Sequence, residues 1–67
     1  MQLKALLKLL RSDEVINLYD TIDNQYLQRG ECKGTIHSEY YDCKVVGINS
    51  DYTSNECSIL EIDIAHK

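Results

Sequence analysis

Residues 57–65 read CSILEIDIA, and this stretch decides the fold. Leu60, Ile62 and Ile64 alternate with Glu61 and Asp63. Apolar against charged with a period of two predicts a strand buried on one face and wet on the other. Such a strand needs neighbours to pair with and a cover for its apolar face.

Residues 2–11, QLKALLKLLR, predict the cover. Leu3, Leu6, Leu7 and Leu10 fall at i, i+3, i+4 and i+7, which is one face of a helix. Ala, Leu, Lys and Gln are good helix formers. Lys4, Lys8 and Arg11 spread over the other side, and Ser12–Asp13 ends the helix. The leucine stripe could serve as a dimer seam or a membrane-surface anchor. A helix this short is marginal alone, so packing on a sheet is the expected use.

Residues 14–20, EVINLYD, predict a first strand, with Ile16 and Leu18 facing one way and Val15, Asn17 and Tyr19 the other. The segment 20–25, DTIDNQ, predicts a turn through Asp23–Asn24. Residues 26–33, YLQRGECK, predict a weaker second strand in which Gly30 marks a bulge or an edge position. Residues 37–42, HSEYYD, predict a short helical turn that Ser38 could cap. Residues 44–49, KVVGIN, predict a third strand with Val46 and Ile48 inward, followed by a polar hairpin loop over 50–56.

Helical and strand segments are segregated, so the expected class is α+β. The architecture is an N-terminal amphipathic helix on a roughly four-stranded, mainly antiparallel sheet, with two hairpins joined by a short helical turn. Residues 1–67 form one domain, because a chain this short supports a single thin core. The open face of the sheet should carry Val15, Asn17, Tyr19, Glu61 and Asp63.

The charge balance narrows the function classes. Seven basic and eleven acidic residues give a net charge of −4. Lys4, Lys8 and Arg11 sit in the first eleven residues, and six acids lie in 37–66 against Lys44 alone. Phosphate-backbone binding needs clustered Lys and Arg, so no direct nucleic-acid binding is expected. An anionic body suits a basic protein partner, although acids also serve solubility. No segment reaches the roughly 20 apolar residues of a membrane span, and neither a membrane role nor an export signal is expected. Cys32, Cys43 and Cys57 are odd in number and lack C-x-x-C spacing, which favours thiols in a reduced cytoplasm.

Candidate chemistry is sparse. Cys32, His37, Cys43, Cys57 and His66 could ligate a metal, but none forms the close pairs of a structural zinc site. Neither His37 with Cys43 nor Cys57 with His66 sits in a setting that activates a thiol, and no Gly-rich phosphate loop is present. The acids and amide of 20–24 lack the order of a calcium loop and read as an Asx turn. No cofactor, metal or enzymatic activity is therefore expected. What remains is tyrosine beside acid. Five tyrosines are present with no Phe or Trp. Tyr40 and Tyr41 are flanked by Glu39 and Asp42, and Tyr52 by Asp51, with Glu56 nearby. Aromatic rings among carboxylates suit an Arg/Lys-rich surface, although tyrosines also complete thin cores. Glu39, Tyr40, Tyr41, Asp42, Asp51, Tyr52 and Glu56 are the expected partner-binding residues.

The succession M-x-L-K-x-L-L-x-x-L (1–10), V-I-x-L-Y-D (15–20), E-Y-Y-D-x-K-V-V-G-I (39–48) and L-E-I-D-I (60–64) resembles a group of short α+β proteins of phages, prophages and mobile elements of Firmicutes. The chain departs from that pattern over 32–36, which is more polar. The resemblance carries no functional residues. It implies a phage-type inhibitor of host or defence machinery, anti-CRISPR-like, whose carboxylates occupy a basic or nucleic-acid-binding surface in the host cytoplasm. The alternative is a structural or regulatory interaction module, for which a homodimer through an open strand edge or the exposed sheet face is compatible.

Overall fold

The computed structural model describes residues 1–52 and 58–66. Its elements run α1 (Leu3–Leu9), β1 (Val15–Asp20), β2 (Gln25–Glu31), two 3₁₀ turns at Lys33–Thr35 and Ser38–Tyr40, β3 (Lys44–Tyr52) and β4 (Ser58–Ala65). The strands form one sheet in the order β2-β1-β4-β3. Both hairpins, β1/β2 and β3/β4, are antiparallel, and they join through a parallel pairing of β1 with β4. The expected α+β class and helix-on-sheet architecture are what the chain adopts.

The alternation read from the sequence places the core. Ile16 and Leu18 of β1 and Ile62 and Ile64 of β4 are fully buried. Leu3, Leu6 and Leu7 of α1 cover them, joined by Ile36, while Leu10, Tyr40, Tyr41, Cys43 and Val45 pack at the margin. Ile36 lies in a polar stretch with no periodicity, so no sequence pattern marks it as core.

A seven-residue helix cannot hold itself together in water. Gln2 provides no side-chain cap. The free amides of the first turn are satisfied from outside: Leu3 N–H donates to Cys43 O and Lys4 N–H to Tyr41 O, both at 2.9 Å. At the other end Lys33 Nζ donates to Leu10 O at 2.7 Å. Leu10 is already extended, which makes α1 shorter than the sequence reading of 2–11. Both helix ends are thus tied to the connection between β2 and β3.

Gly30 fulfils both roles expected of it. β2 is an edge strand with register shifts against β1, and Gly30 adopts φ +67° there. The third strand corrects the sequence reading. Val46 and Ile48, both expected to be inward and buried, are 51% and 47% exposed. A register shift between Val45 and Gly47 bulges β3 at Val46. Val45 is therefore the residue that packs on the core. Ile48 pairs with buried Ile62 but lies on an outer strand. The turn before β3 is 3₁₀, with His37 rather than Ser38 at its N-cap position and no side-chain cap. β3 also runs on through Tyr52, beyond the expected end at 49.

Asp20 closes the central pair. It is completely buried at the end of β1, and its Oδ1 accepts from Ile22 N–H at 2.9 Å and from His66 N–H at 3.2 Å. Thr21 donates from both N–H and Oγ1 to Ile64 O. The expected Asx turn therefore also pins the end of β4. Burial pushes the Asp20 carboxyl up, but the backbone donors of Ile22, His66 and Asp23 outweigh it and hold the group below its usual range.

Ile62→Ala should cost about 2–5 kcal/mol, as for other buried isoleucines, measured by chemical denaturation. Because Asp20 has a depressed native pKa, its contribution is present above the unfolded-chain value of about 3.9 and lost as pH falls through the native one. Asp20→Asn should lower the melting temperature at pH 7, with the deficit shrinking in acid; an unchanged melting profile from pH 7 to pH 3 would contradict this.

Candidate functional site

With α1 and the 33–43 connection on one side of the sheet, the other side carries the alternate residues. Val15, Asn17 and Tyr19 of β1 pair with Ile59, Glu61 and Asp63 of β4, and all six are half-exposed. The open face expected from the alternation is the face observed. Register then adds what the sequence does not show. Tyr19 faces Tyr26 across β2, while Gly47 lies opposite Asp63 and Asn49 opposite Glu61 on β3. One row across the sheet therefore reads Tyr26, Tyr19, Asp63, Gly47.

The side chains of these rows are interlinked. Tyr19 and Tyr26 meet edge-to-face with ring centroids 5.0 Å apart. The Arg29 guanidinium lies 4.7 Å over the Tyr26 ring. Tyr26 Oη donates to Glu61 Oε1 at 2.8 Å. This hydrogen bond, followed by burial, pushes the Tyr26 phenol up, so the proton stays on the phenol. Asn17 Oδ1 accepts from Gly30 N–H at 2.8 Å, which ties the β2 bulge to the same face.

Asp63, like Asp20, has one buried oxygen without a hydrogen-bond partner among the described residues, in its case Oδ1, but it lacks the backbone donors that Asp20 has. Burial, then the neighbouring Glu61 carboxylate, pushes its carboxyl up. Gly47 makes the room: a β-carbon there would lie 3.2 Å from Asp63 Oδ2. Neither Glu61 nor Asp63 has an ion-pair partner among the described residues. The strand thus places two carboxylates two residues apart beside a pair of locked aromatic rings. That arrangement offers acceptors to an incoming guanidinium or ammonium.

The expected contact residues divide. Glu39 and Asp42 are exposed at the turn before β3, and Asp42 pairs with Lys4 at 3.1 Å. Tyr40 and Tyr41 are half-buried and pack on the core margin. Tyr40 also meets His66 edge-on at 5.0 Å. Burial, then Glu39, pushes its phenol up. The backbones of Asp51 and Tyr52 pair with Ile59 and Ser58 in β3/β4, while their side chains, and Glu56 altogether, lie outside the described residues. The fold brings 39–42 together on the helix side. Glu61 and Asp63 gather a second patch on the open side. Sequence alternation places Tyr19, Glu61 and Asp63 on that side; the contribution of Tyr26 and Arg29 depends on the shifted register of β2.

Among the described residues no group of His, Cys, Asp and Glu is arranged to hold a metal ion. Cys32 and Cys43 are free thiols, and Cys57 lies outside the described residues. The Cys43 thiol is pushed up by burial, then by Asp20 and the carboxylates of Asp42 and Glu39, the reverse of what an attacking thiolate requires. No described helix is long and apolar enough to cross a membrane. No protein-family model, curated protein or solved structure matches this chain.

A carboxyl raised in the fold contributes stability below its unfolded pKa of about 3.9 and loses it as pH rises through the native value. Asp63 is therefore a liability at neutral pH. Asp63→Asn should raise the melting temperature at pH 7 and give no advantage below pH 4. A loss of stability at pH 7 would instead mean that the ionised carboxylate has a satisfying partner.

Proposed function

We propose that this protein is a binding protein that uses the open face of its sheet to engage an Arg/Lys-rich protein surface, and that it thereby inhibits a nucleic-acid-binding host or defence protein. The observation that carries the reading is the array of Tyr19, Tyr26, Glu61 and Asp63. Two carboxylates without ion pairs among the described residues lie beside aromatic rings already held in place. Side chains fixed in this way lose little freedom on binding. The destabilising Asp63 also fits a residue retained for contact rather than for stability. The inhibitory part rests on charge logic: carboxylates compete with phosphates for a basic channel. It agrees with the resemblance to phage-encoded proteins. The exposed acids of the turn, Glu39 and Asp42, lie on the other side of the sheet and are the rival contact region, although Asp42 is already paired with Lys4.

A specific observation favours a second reading, an interaction module that pairs with a second copy. β3 is an outer strand, and it exposes Val46 and Ile48.

Calorimetric titration with an arginine-rich peptide should give saturable binding that Glu61→Gln with Asp63→Asn weakens by tenfold or more, while Glu39→Gln with Asp42→Asn leaves it nearly unchanged. The reverse ranking would move the contact to the turn, and unchanged binding by both pairs would overturn the proposal. A basic partner recovered from a bacterial lysate should lose its nucleic acid when the protein is added. Retention of nucleic acid, together with a dimer in light scattering, would favour the second reading.

A further inference from the structure

On the helix side a cleft of about 380 Å³ opens between α1 and the connection that follows β2. Leu7 and the Tyr41 ring line it, with Lys4, Lys8, Lys33 and Gly34 around them. We propose that this cleft binds a small organic anion with an apolar body, of the medium-chain fatty-acid carboxylate class.

Three features lead to that chemistry. The first is charge: three lysines line one cleft on a chain of net charge −4. Lys33 is oriented by its bond to Leu10 O, and two of its three N–H groups remain available. Lys4 is held only by a solvent-exposed pair with Asp42, a weak tie that an anion can replace. Lys8 has no ion pair among the described residues.

The second is the lining. Exposed lysines alone hold a simple anion poorly in water, because each charge is screened and hydrated. Leu7 and Tyr41 add an apolar surface, and the cleft volume falls within the range of small-molecule sites. The affinity must then come from an apolar body, with the charge fixing its orientation.

The third is the kind of anion. Phosphate recognition favours guanidinium forks or converging backbone amides. The lysines lining this cleft carry separate ammonium point charges on flexible stems, which a carboxylate can meet one at a time. The mouth is open at Gly34, where an added β-carbon would meet nothing within 4 Å. The cleft lies across the sheet from the carboxylate and tyrosine array, so its occupancy does not depend on the binding face proposed above.

The test is an amide chemical-shift titration of the full chain with octanoate, octanol and inorganic phosphate. Octanoate should give saturable shifts concentrated at Leu7, Lys8, Gly34 and Tyr41. Octanol should shift the same amides about fivefold more weakly, the factor for one close charge pair in water. Lys8 is exposed, so Lys8→Gln should keep the fold, weaken octanoate by about the same factor and leave octanol unchanged. Equal affinity for octanoate and octanol would overturn the role of the lysines. Phosphate matching octanoate would overturn the role of the apolar lining. Shifts spread over the whole chain, or none that saturate, would overturn the site.

Discussion

The parallel pairing of β1 with β4 is the contact on which the rest of the structure depends. Each hairpin alone is a two-stranded ribbon, and such ribbons are marginal in water. Joined through Val15–Asp20 and 59–64, they make a four-stranded sheet whose two central strands come from opposite ends of the described chain. The four fully buried apolar residues of the sheet, Ile16, Leu18, Ile62 and Ile64, all belong to this pair. The leucines of α1 have a surface to cover only because the pair exists. In return the segment 41–43 supplies the carbonyls that cap α1. Helix and sheet are therefore mutually dependent, as expected where neither is stable alone.

Two aspartates on the same pair of strands illustrate how environment decides the role of a carboxylate. Asp20 is buried, but backbone amides surround it, and it closes the end of the pair as an anion. Each keeps one buried oxygen without a partner among the described residues, Oδ2 of Asp20 and Oδ1 of Asp63, but no backbone amide acts on Asp63, and the acidic neighbour acting on it is the like-charged Glu61. Residue type and local sequence scarcely distinguish them; each lies within or at the end of an alternating strand. The difference lies in which donors the fold brings to each oxygen.

Much of the fold was legible in single residues. The alternation around Ile62 and the leucine spacing of α1 follow from the two periodicities of protein backbone, and both elements formed. Gly30 and the Asp20 turn were legible because glycine and Asx residues act through local backbone chemistry. Val46 departs from the expected facing because it is the extra residue of a bulge, which leaves no mark in the hydrophobic pattern, whereas Ile48 shares the side of Ile62 but is exposed because β3 is an outer strand. Ile36 is buried without any mark in the sequence, because a single apolar residue in a loop has no period. For the site, alternation placed Tyr19, Glu61 and Asp63 on one face. The link from Tyr26 to Glu61 spans residues far apart in sequence and was not legible. Tyr40 and Tyr41, read beside their acids as a contact patch, spend much of their surface on the core margin, as a chain without Phe or Trp requires.

The sequence by itself determined the elements, their approximate order and their inward faces, because these follow from side-chain spacing along one segment. It also determined the charge asymmetry, with a basic helix and an acidic remainder. Only the tertiary structure decided that β1 and β4 lie parallel at the centre, that Gly47 makes room for Asp63, and that three lysines from two segments surround one cleft. Each of these depends on the register between segments distant in the chain. That register is fixed by the fit of the whole core and not by any one stretch of residues.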